Sequence, residues 1–113
     1  MKVYISGRIT NQPDFQQRFS EAEQQLISQG HEVVNPVNLP HDHDKRWHSY
    51  MKECLKSMLD CDAIYMLSNW MQSEGAIIER AIADSLNFKI IHQNYEPIIP
   101  ETVFEQFEDG MLF

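Results

Sequence analysis

Residues 62–82 read DAIYMLSNWMQSEGAIIERAI, and their pattern decides the fold. Ala63 to Leu67 is a continuous apolar run bounded by Asp62 and by Ser68-Asn69. It is too short for a helix and lacks the alternation of a half-exposed strand, so it reads as a strand buried on both faces. Ser73 then caps a further helix, whose apolar face is Ala76, Ile77, Ala81 and Ile82. A buried strand, a loop and a capped helix in that order are the parts of a crossover to a parallel neighbour.

The same unit recurs on either side. Val3, Tyr4 and Ile5 form a short apolar strand ended by Ser6-Gly7. From Pro13 onward Phe15, Phe19, Ala22 and Leu26 recur at spacings of four, three and four, an amphipathic helix that Gly30 stops. Val33-Val34 makes a second strand closed by Asn35-Pro36, and a loop holding Pro36 and Pro40 leads to a helix through Trp47, Tyr50, Met51, Cys54, Leu55 and Met58. Lys89 to Ile91 is a fourth strand. Strands and helices alternate, which predicts an α/β fold: a Rossmann-like, flavodoxin-like three-layer sandwich with a four- or five-stranded parallel sheet. Right-handed crossovers place the carboxyl ends of the first and third strands side by side, and a ligand crevice belongs at that switch point.

Length and charge narrow the function. The 113 residues suit one domain over positions 1–94, followed by an acidic tail over 95–113 with one short helical stretch at Thr102 to Phe107 that would dock on a neighbouring subunit. Seven basic and seven acidic residues lie up to Lys56, but two basic and ten acidic residues lie beyond it, so the net charge of -8 is C-terminal. Such a chain repels phosphate backbones, which argues against duplex nucleic acid as a partner. No apolar run approaches the ~20 residues that span a bilayer, and the N-terminus lacks a signal-peptide layout, so no membrane partner and a cytoplasmic location are expected. Cys54 and Cys61 lie seven apart in what reads as one helix, about 10 Å along its axis, too far for a disulfide.

The residues after the strands are where chemistry belongs. Ser6-Gly7-Arg8 lacks both the three-glycine dinucleotide fingerprint and the GK[ST] of a P-loop. It is either a plain connection or an anion-facing turn in which backbone N–H groups and Arg8 receive a phosphate. His41, Asp42, His43, Asp44 and His48 include an H-x-H pair that can share an ion, but nothing fixes a third ligand, so neither metal nor cofactor is expected. That loop reads as solvated, or as a lid over the crevice. Glu79 sits in the second turn of the Ser73-capped helix, with Gly75 four residues earlier on the same face, leaving room for a ligand. Its neighbours Ile77, Ile78 and Ile82 make an unpaired charge there costly. The plainer reading is a partly exposed carboxylate paired with Arg80 or Arg8.

Tyr4, Ser6-Gly7, the Cys61-Asp62 start of the third strand and Ser73-x-Gly75-Ala76-x-x-Glu79 together resemble the nucleoside 2-deoxyribosyltransferase superfamily, in its small phage and bacterial branch. The resemblance runs from Met1 to about Ile91. It implies that Glu79 attacks the anomeric carbon of a deoxyribosyl nucleoside or nucleotide while Tyr4 holds the sugar and the nucleophile. The nucleoside transferases carry an aspartate six residues before the glutamate, whereas the 2'-deoxynucleoside 5'-phosphate N-hydrolases carry a phosphate-contacting serine; this chain has Ser73. The resemblance thus implies a nucleotide; the residues themselves suggest that Ser73, with Ser6, Gly7 and Arg8, receives its phosphate, that Gly75 leaves space beside the carboxylate, and that Trp47 or Tyr50 offers an apolar face to the base. The resemblance also implies a homo-oligomer. The family's aspartate, which orients or protonates the base, falls on Cys54. A thiol is a poor general acid, and loss of a positioned acid costs about 10²- to 10⁴-fold in rate. Two readings stay open: an N-glycosidase or deoxyribosyltransferase, and a catalytically weak or inactive nucleotide-binding protein.

Overall fold

Each of the first three strands is followed by a segment that returns the chain to the same end of the sheet, and the pairing is parallel throughout the described residues. The computed structural model describes residues 1–93. In chain order they form β1 (Lys2–Ser6), α1 (Phe15–Ser28), β2 (Glu32–Val34), α2 (Trp47–Met58), β3 (Ala63–Met66), α3 (Glu74–Ser85) and β4 (Lys89–His92), with single 3-10 turns at Pro36–Asn38 and Trp70–Gln72. The sheet order is β2-β1-β3-β4. Val3 of β1 stands opposite Val33 of β2 and Ala63 of β3, and Ala63 stands opposite Lys89 of β4. This is the expected Rossmann-like α/β architecture, with four strands among the described residues.

The chain leaves β1 toward one edge and returns to its other side after β2, so crossovers of one hand put α1 on one face and α2 with α3 on the other. The period of two along each strand then sorts the side chains. Val3, Ile5, Ala63, Tyr65 and Leu67 pack with Phe19, Ala22 and Leu26 of α1. Tyr4, Ile64 and Met66 face the opposite way, against Cys54 and Met58 of α2 and Ala76 and Ala83 of α3. Both strands β1 and β3 are buried on both sides, as their unbroken apolar runs predict.

Helix ends carry their own signals. At the end of α1, Gly30 takes φ +90, the amide of Gly30 donates to the carbonyl of Ile27 at 2.9 Å and that of His31 to Leu26 at 3.1 Å. This is a Schellman closure, in the left-handed conformation that glycine adopts without a Cβ penalty. The end of α3 repeats it with Asn87 at φ 60 and Phe88 donating to Ala83 at 2.9 Å. The expectation that both cysteines share a helix is corrected. α2 ends at Met58, and Cys61 lies past it at the approach to β3, its amide donating to Met58 at 2.9 Å. Both thiols are free. No helix of the described residues is long and apolar enough to cross a membrane. The acidic tail, with its Thr102 to Phe107 stretch, lies outside the described residues.

Candidate active site

The site is assembled by two periodicities meeting at the carboxyl ends of β1 and β3. On α3, helical spacing puts Ala76, Glu79 and Ala83 on the buried face. On β1, the period of two turns Tyr4 and Ser6 toward that same face. The three polar side chains converge: the Tyr4 hydroxyl donates to Glu79 Oε2 at 2.7 Å, and the Ser6 hydroxyl donates to Glu79 Oε1 at 2.6 Å. Each carboxylate oxygen thus has one protein donor, and Glu79 is 6% exposed. Burial pushes the Glu79 carboxyl up to about 7, against the opposing pull of the two hydroxyls. The same burial, joined by the charge of Glu79, raises the Tyr4 phenol well above its ordinary value.

The backbone around this carboxylate is held by small residues at close approaches. A Cβ on Gly7 would stand 2.6 Å from Leu67 Cδ1, so only glycine lets the exit of β1 pass the end of β3. A Cβ on Gly75 would stand 3.0 Å from Met51 Sδ, so this glycine lets α2 close on the start of α3. Gly75 thus makes room for Met51 as well as lining the cavity. Ser73 caps α3, its Oγ accepting from the amide of Ala76 at 3.1 Å. The remaining first-turn amides of a helix have no partner within it and favour an anion.

Glu79 lies at the wall of a cavity of about 750 Å³. Of the residues singled out in the sequence, Ser6, Gly7, Arg8, Trp47, Tyr50, Cys54, Ser73, Gly75 and Glu79 all line it. Tyr4 does not: it is fully buried behind the carboxylate, where it touches Glu79 and not the cavity, which removes it from direct contact with a sugar. Ser6 is likewise reassigned, because its hydroxyl is spent on Glu79 and not on an anion. The plainer pairing of Glu79 with arginine is absent among the described contacts. Arg8 donates from Nη1 to Gln72 at 2.8 Å and from Nε to the Thr10 carbonyl at 3.0 Å, while the Arg80 guanidinium lies over the Trp70 ring at 5.1 Å.

The histidine loop keeps Asp42, Asp44, Lys45, Arg46 and His48 exposed, as a solvated loop does, while His41 and His43 turn partly inward. Among the described residues no three His, Cys, Asp or Glu side chains gather as metal ligands. Instead the amide of Lys45 donates to His43 Nδ1 at 3.0 Å, His43 Nε2 meets His41 Nδ1 at 3.3 Å, and His41 Nε2 meets the Pro36 carbonyl at 2.8 Å. One tautomer of each ring satisfies the whole chain, with both Nε2 atoms carrying hydrogen. The two rings pack on Tyr50 at centroid distances of 4.9 and 4.5 Å. His41 meets Tyr50 at a tilt of 58° and His43 meets it edge-on at 86°, so of the two aromatic candidates for a base Tyr50, 38% exposed, is the more engaged and Trp47, 47% exposed, presents the freer ring. Cys54 sits beside Tyr4 and Glu79, and burial pushes its thiol up to about 11.

Three contributors escaped the sequence reading. Gln72 holds the Arg8 guanidinium, Asn69 Oδ1 accepts from the Arg8 amide at 3.2 Å, and Met51 fills the notch at Gly75. Asn69 and Gln72 lie in the segment between β3 and α3, the expected place for ligand-end residues, so their position was a usable signal.

A family model described as Domain of unknown function (DUF4406) matches residues 1–92. No functionally curated protein matches the chain in sequence. Among solved structures, the chain is similar to a 2-deoxyribosyltransferase from the psychrotolerant bacterium Bacillus psychrosaccharolyticus. The two share 20% identity and a TM-score of 0.63 over 93% of this chain and 81% of that one. The fold is thus nucleoside 2-deoxyribosyltransferase-like.

Proposed function

We propose that this chain, which belongs to the family described as Domain of unknown function (DUF4406), cleaves the N-glycosidic bond of a (deoxy)nucleoside 5'-monophosphate, or transfers its sugar to another base, with Glu79 as nucleophile. The observation that carries this reading is a buried carboxylate, one donor on each oxygen, facing a cavity of about 750 Å³. A structural carboxylate is ordinarily paired with a cation, and this one is held by two hydroxyls beside empty volume. The fold shared with a 2-deoxyribosyltransferase supports the choice of a glycosyl substrate.

In the proposed reaction a Glu79 oxygen attacks the anomeric carbon as the C–N bond breaks, its electron pair leaving with the base. The resulting glycosyl ester is opened by water or by a second base. The Tyr4 and Ser6 hydroxyls fix the carboxylate in place, so little reorganisation is needed at the moment of attack. Arg8, Ser73 and the first-turn amides of α3 receive the phosphate, against partial opposition from Glu74. Trp47 offers its ring to the base. Assembly into a homo-oligomer belongs to the same proposal, since so small a domain gains stability by burying further surface.

A second reading, a nucleotide-binding protein without turnover, is favoured by the protonated thiol of Cys54 where a carboxylic acid would assist the leaving base. One experiment separates the two. Wild type and Glu79→Gln are incubated with a panel of deoxynucleosides and their 5'-monophosphates; free base is followed by chromatography and thermal stability in parallel. Base release by wild type, lost in Glu79→Gln, is the expected result. Stabilisation by a monophosphate without base release establishes the binder. Neither release nor stabilisation by any member overturns both.

A further inference from the structure

We infer, on the premise that Glu79 is the nucleophile of an N-glycosyl-cleaving enzyme, that the leaving group this cavity accepts is a quaternised nitrogen heterocycle, which departs without being protonated. The cavity wall supplied by α2 consists of Trp47, Tyr50, Met51 and Cys54, two aromatic rings and two sulfurs. Aromatic faces attract cations electrostatically, and polarisable sulfur packs well against flat rings. Two carboxylates, Glu74 and Glu79, line the same cavity. The cation among the described lining residues is Arg8, and its guanidinium is tied to Gln72 and Thr10 beside Ser73, at the end assigned to phosphate. The guanidinium and Glu74 thus share the phosphate end beside Ser73, while the α2 wall turns π faces and sulfurs, and no charged side chain, toward the cavity.

The proton inventory points the same way. A neutral base leaves as an anion unless a positioned acid protonates it. Glu79 attacks only when ionised, and Glu74 is exposed at the start of α3. Both ring nitrogens of His41 are engaged, Nε2 with Pro36 and Nδ1 with His43. Cys54 holds its proton too firmly to be an effective acid. A quaternised base needs none of these groups. The Glu79 oxygen forms the bond to the anomeric carbon, the C–N pair passes to the ring nitrogen, and the cationic ring leaves neutral. Water then opens the ester, releasing the sugar phosphate and restoring Glu79 as one proton passes to solvent.

The test compares 2'-deoxyguanosine 5'-monophosphate with its N7-methyl derivative, which share sugar and phosphate and differ by a methyl group and a positive charge. Base release is measured by chromatography over the uncatalysed background for each. The expected result is kcat/KM at least about 100-fold higher for the methylated nucleotide, the lower bound of what a positioned acid would otherwise supply to the unmethylated one. Cys54→Asp is expected to narrow that ratio by about tenfold or more, by accelerating the unmethylated substrate preferentially. A wild-type ratio near one overturns the inference while leaving Glu79 as nucleophile intact, and it does so whether or not the Cys54→Asp variant folds. Release from neither nucleotide overturns the premise itself.

Discussion

The two faces of the sheet are built from the same strands and do opposite work. Toward α1, β1 and β3 send Val3, Ile5, Ala63 and Tyr65, which meet Phe19, Ala22 and Leu26 in a core without a carboxylate. Toward α2 and α3 the intervening residues Tyr4 and Ser6 meet Glu79 beside Cys54. Neighbouring residues of β1 thus stabilise the domain and hold its buried carboxylate. Both faces gain from apolar burial, but the second also bears the cost of keeping a carboxylate out of water, which its own cluster around Met58, Ile64 and Met66 helps offset.

The difference is broken most severely at Glu79. Glu79→Gln keeps the volume and is expected to lower base release by roughly 10⁴-fold or more, as removal of a covalent nucleophile does elsewhere, with the melting temperature at pH 7 not reduced. Comparable turnover in the variant would end the assignment. Leu26→Ala strikes the other face: the side chain is 2% exposed, and its truncation is expected to cost about 2–5 kcal/mol in chemical denaturation. Turnover per folded molecule should be unaffected, and a selective loss of turnover would show that the two faces are not separable.

Acidity sharpens the contrast further. The Glu79 carboxyl titrates at about 7 in the folded chain against an ordinary 4.5. The folded state therefore binds this proton more tightly than the unfolded chain, and the associated stability is present in full below about 4.5 and lost as pH rises through about 7. The loss amounts to roughly 3 kcal/mol. Denaturation of wild type across that window should show the fall, and Glu79→Gln should flatten it; identical pH profiles would contradict the buried, ionisable carboxylate. Base release should run in the opposite sense, rising with pH through about 7 as the nucleophile ionises. The smallest effect is expected from Ser6→Ala. Loss of a hydroxyl that favours the carboxylate form moves the rising limb of the pH–rate profile to higher pH and lowers the rate at pH 7 by about tenfold, one hydrogen bond's worth. An unmoved limb with an equal loss at all pH values would make Ser6 a packing residue alone.

The fold was legible because its determinants are local. The unbroken apolar runs at Val3–Ile5 and Ala63–Leu67, separated by helical spacing, leave few arrangements other than a parallel sheet covered on both sides. Glu79 was legible as a candidate because a carboxylate among Ile77, Ile78 and Ile82 conflicts with its surroundings unless it is used or paired. Its partners were partly legible: Tyr4 and Ser6 share a strand face by the period of two, but which hydroxyl reaches the carboxylate depends on how α3 docks, a tertiary matter. Three details lay beyond local pattern. His41, His43 and Tyr50 meet in tilted and edge-on contacts between rings contributed by a loop and a helix. Asn87 ends α3 in a left-handed conformation that asparagine shares with glycine, though only glycine at position 30 stood out as a stop. Gly75 marks a helix contact with Met51 as much as a ligand site, and a glycine in sequence does not say which neighbour approaches it.

The most direct measurement is an acid-quenched single turnover with a deoxynucleoside 5'-monophosphate that the wild type cleaves, followed by peptide mass analysis. The expected result is a deoxyribosyl phosphate adduct on the peptide carrying Glu79, formed with base release and lost on chase with water, and absent from Glu79→Gln. Base release at the full rate by Glu79→Gln, or an adduct on another side chain, would contradict the assignment of this carboxylate as the attacking group.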